Sequence, residues 1–223
     1  MSQQLVIVGS GETAQLAYEY FTVDSDYRVC AFAVGAKYLE EQSLFDLPVV
    51  ALEELEYLYP TEQYEVFVAL SSGKLNRDRT RLYQDMKDRG YKLASYVSSR
   101  AFVWRNVEIG DNCFILEDNT LQPFVHIGNN VTLWSGNHIG HRSVIEDHCF
   151  ISSHCVISGF CTVGSSSFLG VNCTIINDIS IGEDCFIGAQ ALVQKNVAER
   201  TVLQAASTEA SRVTSHKLFR LRS

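Results

Sequence analysis

The chain has 223 residues, 46% of them hydrophobic and 20% charged, the balance of an ordinary globular protein with room for two modest cores. Its formal net charge of −8 argues against non-specific binding to nucleic acid or an anionic membrane, which require a basic face, so an anionic ligand must be met by a local site. No run approaches the ~20 apolar residues that span a bilayer, Leu5 to Val8 is too short for a signal-peptide core, and a cytoplasmic location is expected.

The first third alternates strand and helix. Leu5-Val6-Ile7-Val8 reads as a buried strand, after which Gly9-Ser10-Gly11-Glu12-Thr13-Ala14 matches G-x-G-x-x-[GA] and opens a helix to about Phe21. Arg28 to Val34, Glu65 to Leu70 and Tyr91 to Val97 read as further strands and Leu75 to Arg89 as a charged helix. Residues 1–97 therefore predict a Rossmann-like α/β domain with a small parallel sheet. Glycines at such a turn let backbone approach a phosphate at the positive helix end, which makes Gly9, Ser10, Gly11 and Glu12 candidate substrate contacts. The segment Phe32 to Lys37 lacks the acidic residue that would hold a dinucleotide ribose, and the domain is short, so one nucleotide or a nucleotide-linked sugar suits it better than NAD. Lys74 and Arg77, beside the carboxyl end of the third strand, are candidates to meet a diphosphate; a solvated helix face is the alternative.

A different rhythm follows. From Val103 to Val193 an aliphatic residue occupies every sixth position, and a small or modest side chain stands four places after it. A fixed short repeat marks a solenoid whose units bury their apolar faces only by stacking. Short strands carrying the aliphatics, joined by tight corners, give a triangular prism with three hexapeptides to a turn, over residues 98–196 about five turns. Residues 197–223 form a tail. Six of the seven cysteines (Cys113, Cys149, Cys155, Cys161, Cys173 and Cys185) hold the small inward position, where a thiol acts as a small hydrophobe, and only Cys30 lies outside.

His126, His138, His141, His148 and His154 fall in the repeat, away from both inward positions, so all are expected on the outer surface or in corners. Zinc ligation is one use of clustered histidines, but the five-residue spacing of the gamma-class carbonic anhydrases is absent and no metal is expected. Acyl transfer from a thioester is the other, since a histidine can take the proton of an attacking amine or hydroxyl at neutral pH.

The repeat resembles that of hexapeptide-repeat proteins, which implies a left-handed parallel β-helix. Gly136-Asn137-His138-Ile139-Gly140-His141-Arg142-Ser143-Val144-Ile145 is similar to the catalytic coil of nucleotide-sugar acyltransferases, namely the bacillosamine and perosamine N-acetyltransferases and their sialic-acid O-acetyltransferase relatives. The resemblance implies acetyl-CoA as acyl donor, a nucleotide-linked amino sugar as acceptor, His141 as general base, a homotrimer with coenzyme in the groove between subunits, and a place in O-antigen or capsule synthesis. It further implies Ser152, Gly170, Gly188 and Lys195 as coenzyme contacts and His138 as a substrate contact. Where the bacillosamine enzymes have Glu after this histidine, Arg142 stands here, which leaves Glu146, Asp147 or a carbonyl to orient the ring. O-acetylation and a non-catalytic trimeric scaffold are the alternatives.

Overall fold

The computed structural model describes residues 3–221. Its head is a sheet of β1 (Gln3–Val8), β2 (Tyr27–Val34), β3 (Ser43–Leu44), β4 (Leu47–Ala51) and β5 (Tyr64–Val68), in the order β3-β4-β2-β1-β5. Neighbours run parallel except for β3, which returns on β4 as a hairpin. The central strands read as unbroken apolar runs because helices cover both faces. α1 (Glu12–Val23) buries Ala14, Ala17 and Phe21 against one face, while α2 (Leu55–Leu58) and α3 (Arg77–Asp88) bury Leu55, Tyr83 and Met86 against the other.

The head departs from expectation in two places. Tyr91 to Val97 is not its fourth strand: Leu93 makes a single bridge to Val66, and Tyr96–Val97 pairs instead with Phe114–Ile115 as the first rung of the β-helix. The further parallel strand is β4, whose five residues include Pro48 and give too weak a pattern to read. α3 starts at Arg77 and not Leu75 because Lys74, Leu75 and Asn76 take left-handed φ values of 51°, 52° and 66°.

From Tyr96 to Leu203 the chain winds as a left-handed parallel β-helix of two-residue rungs, in sheets of six, five and seven strands, about six turns where about five were expected. Residues eighteen apart pair in register, as Leu121 does with Val103 and Ile139. The aliphatics from Ile115 to Val193 fill the prism together with the six repeat cysteines, and burial pushes the Cys113 and Cys149 thiols up to about 12. Corners turn through left-handed residues such as Asn112, Arg142 and His154, so polar side chains stand where φ is 51°, 58° and 60°. Outward rung residues define three faces: a first with Phe102, Thr120, His138, Val156, Thr174 and Leu192, a second running from Glu108 to Ser180, and a third with Tyr96, Phe114, Thr132, Phe150, Phe168 and Phe186.

The head sits on the lower third face. Tyr96 and Phe114 join its core, with ring centroids 5.5 Å from Phe21 to Tyr96 and 5.3 Å from Phe67 to Phe114. α3 supplies the polar half of the joint. Arg79 is fully buried; its Nη2 donates to the carbonyls of Asn130 (3.3 Å), His148 (3.1 Å) and Cys149 (3.1 Å), and its guanidinium lies 5.6 Å from the Phe150 ring. Asn76 Nδ2 donates to the Ser166 carbonyl at 3.1 Å.

Candidate active site

His141 stands exposed at the corner after the first-face rung His138–Ile139. One coil below, Gln122 Oε1 accepts the His141 backbone N–H at 2.9 Å and lies 3.2 Å from its Nδ1. One coil above, the ring covers Gly159, where a Cβ would come within 2.6 Å of the imidazole Cε1, so no larger residue fits without moving the ring. Phe160 closes the side edge-on, its centroid 5.0 Å away. An exposed imidazole held on three sides is positioned for chemistry without being buried by it.

The groups expected to orient His141 are engaged elsewhere. Glu146 Oε2 accepts the Ser165 N–H and Asp147 Oδ1 the Asn129 N–H. Beneath the histidine lies Gln122, nineteen residues before it, brought there by the stacking of one coil on the next. His138 shares the coil, its side chain half-exposed on the first face between Thr120 and Val156. Lys195, exposed, lies on the same edge as His141 three coils on, ~14 Å by strand spacing.

Ser152, Gly170 and Gly188 stack eighteen residues apart on the opposite edge of the first face. All three are buried, and their N–H groups serve the coil ladder, donating to Leu169, Ile187 and Leu203 at 2.8, 2.7 and 2.7 Å. Their amides are thus not free for a ligand. One residue along each corner the situation changes: among the described residues, the N–H groups of Ser153, Val171 and Ala189 have no intramolecular acceptor. His154 shares this edge, its ring lying over Gly136.

The remaining histidines are not part of this arrangement. His148 stands in a corner, as expected, with φ of 65°, but the head covers it: it is half-buried, 5.4 Å from the Tyr83 ring, with Nδ1 3.0 Å from Asn130 Nδ2, and burial lowers its pKa. His126 stands on the second face beside Glu108, 3.2 Å away.

In the head, Gly9 has φ of 127° and a Cβ there would stand 2.9 Å from the Ala69 carbonyl, so the turn after β1 requires glycine. Gly11 and Glu12 are exposed at the start of α1, and a Cβ on Gly11 would meet nothing within 4 Å. Ser10 lines a cavity of about 220 Å3 with Gln15, Tyr38, Glu40, Glu41 and Leu44. The two cations expected at a diphosphate have partners. Arg77 reaches the β-helix, donating to Ser166 Oγ at 2.8 Å and pairing with Asp184, and exposed Lys74 pairs with Asp78 at 3.1 Å. Arg77 is committed to the domain joint because α3 docks its first turn on the prism, which sequence spacing does not reveal.

An α/β head docked on a prism of six-residue rungs, with an imidazole on a prism edge, makes a hexapeptide-repeat fold. The six-repeat model of the bacterial transferase hexapeptide family matches residues 106–141, 124–159 and 160–195. The same fold occurs in a histidine-to-asparagine variant of perosamine N-acetyltransferase from Caulobacter crescentus, in complex with CoA and GDP-perosamine, at 23% identity and a TM-score of 0.82, covering 91% of this chain and 93% of that one. It occurs too in the acetyltransferase domain of PglB from Neisseria gonorrhoeae, in complex with acetyl coenzyme A, at 18% identity and a TM-score of 0.81, covering 92% and 97%. A curated relative, the bifunctional protein GlmU of Clostridium novyi, is 21% identical over 167 residues, and this chain spans 37% of its length. No helix among the described residues is long and apolar enough to cross a membrane.

Proposed function

We propose that this chain is a cytoplasmic acetyl-CoA-dependent N-acetyltransferase acting on the amino group of a nucleotide-linked amino sugar, with His141 as general base in a direct attack. The observation that carries this reading is an exposed imidazole, clamped by Gln122 and Gly159, on the edge of a hexapeptide prism. The acceptor nitrogen forms a bond to the thioester carbonyl carbon as His141 Nε2 takes its proton; the C–S bond breaks, and the imidazolium returns the proton to the departing thiolate. The interior thiols take no part, since the repeat cysteines are buried.

The two edges of the first face divide the labour. His141 and Lys195 stand on one, the free N–H groups of Ser153, Val171 and Ala189 on the other, and a closed threefold assembly sets one edge of a copy against the opposite edge of the next. In that homotrimer the amides hold the pantetheine arm and polarise the thioester carbonyl, Lys195 meets a coenzyme phosphate, and His138 borders the acceptor. The Gly9-Ser10-Gly11-Glu12 turn and the cavity beside Ser10 take the nucleotide. The fold supports this through its two ligand-bearing neighbours, one with CoA and GDP-perosamine and one with acetyl coenzyme A.

Thermal shift tests the reading, because a ligand that binds only the native state raises the melting point. Acetyl-CoA and at least one of a panel of UDP-, GDP- and dTDP-linked amino sugars are expected to stabilise the protein by several degrees. Stabilisation by a sugar nucleotide with none from the coenzyme would contradict acyl transfer and favour a scaffold.

A further inference from the structure

We infer that Gln122 is the positioning residue of His141, and that an amide in this place matches the site to an amine acceptor and not to a sugar hydroxyl. The inference rests on the reading of His141 as the base. A backbone N–H can only donate, so the atom of Gln122 that faces the His141 N–H at 2.9 Å is the amide oxygen. The same oxygen lies 3.2 Å from Nδ1, so that ring nitrogen carries the hydrogen and Nε2 carries the lone pair. The main chain of the histidine thereby fixes the amide, and the amide fixes the tautomer. Phe160 and Gly159 hold the ring from the next coil. The charged groups on this edge are Arg142, whose guanidinium lies 4.4 Å from the Phe124 ring, Arg105 two coils below, Asp178 two coils above and Lys195 three coils above; none makes a hydrogen bond to the imidazole among the described residues.

In a hydroxyl-activating triad the carboxylate behind the histidine does two jobs: it holds the tautomer and stabilises the imidazolium. Replacing that carboxylate by an amide costs about 10⁴ in rate, because the ring is left in the wrong tautomer. Here the pinned oxygen retains the tautomer, and what is missing is the countercharge. A neutral amine brings its own lone pair to the thioester carbon and gives up a proton only as the C–N bond forms, so an imidazole without a countercharge suffices. A hydroxyl is far less nucleophilic until its proton is withdrawn, and it draws more on the missing carboxylate.

Steady-state kinetics of Gln122→Glu and Gln122→Met, with the amino-sugar nucleotide picked out by thermal shift and with its analogue bearing hydroxyl in place of the amine, tests this. A carboxylate in contact with Nδ1–H raises the imidazole pKa, so the acid limb of kcat/KM in Gln122→Glu is expected to move up by about 1 pH unit or more with the KM for acetyl-CoA unchanged. Gln122→Met is expected to lower kcat about tenfold or more, again at constant KM for the coenzyme. The wild type is expected to turn over the hydroxyl analogue at least ~100-fold more slowly than the amine. An unmoved pH limb with full kcat in Gln122→Met overturns the positioning role; equal turnover of both acceptors overturns the amine assignment. Wild-type rates in His141→Asn would overturn the base and this proposal together, whereas loss of activity there with no effect at Gln122 overturns this proposal alone.

Discussion

Asp24 and His141 show how single side chains are set by what surrounds them. Asp24 follows the last turn of α1, and its Oδ2 accepts the Ser99 N–H at 2.9 Å, the Tyr96 hydroxyl at 2.6 Å and the Ser98 hydroxyl at 3.3 Å. Hydrogen bonds from Ser99 first and Tyr96 next lower its carboxyl to about 2. A carboxyl depressed in the folded state contributes stability above its unfolded pKa of about 3.9, and that contribution is lost as pH falls through the folded value. Asp24→Asn is therefore expected to lower stability at neutral pH and to flatten the fall between pH 4 and about 2, as read by urea unfolding at each pH. An unchanged acid limb would place the sensitivity in other carboxyls, Glu117 included, whose desolvation is outweighed by hydrogen bonds from Ser135, a backbone N–H and Tyr20 together with the charge of Arg100, so that its pKa is lowered. His141, by contrast, keeps one side open, and its partner is neutral.

Among the elements, α3 joins the head to the prism. Its sequence is rich in charge, and the pattern alone reads either as cations meeting a diphosphate or as a solvated helix face. In the structure its first two turns dock on the prism: Asn76 and Arg77 on the coil of Ser166, and Arg79 on three carbonyls and the Phe150 ring. Burial of Arg79 without a carboxylate lowers its guanidinium to about 10, still charged at neutral pH, and its Nε and Nη1 find no partner among the described residues. Removing the side chain leaves the Asn130 and His148 carbonyls without a donor, while Cys149 keeps the Thr132 N–H, and opens a cavity at the joint. Arg79→Ala is expected to destabilise the protein by about 3 kcal/mol in urea unfolding. A change below about 0.5 kcal/mol would mean that the joint is held by the aromatic contacts alone. No sequence pattern distinguishes Arg79 from Arg81, because its burial depends on how two domains meet.

For the molecule as a whole, the prism was legible because its period is enforced by geometry: a rung residue either points inward on every coil or the core fails, so sixteen aliphatics from Val103 to Val193 define fold and faces together. The inward cysteines followed from the same register, and all six are buried. What the sequence hid were relations across coils and between domains. Gln122 lies nineteen residues before His141, the head's cover over His148 comes from α3, and the amides free for a ligand fall one residue beyond Ser152, Gly170 and Gly188. In the proposed reaction the exposed imidazole on the prism edge takes the proton of the attacking amine. The turnover number of His141→Asn, measured by release of CoA thiol with saturating acetyl-CoA and the stabilising amino-sugar nucleotide, bears on it most directly. A general base at His141 predicts a fall of about 10² or more with the melting point preserved; a turnover within about twofold of wild type would contradict that role.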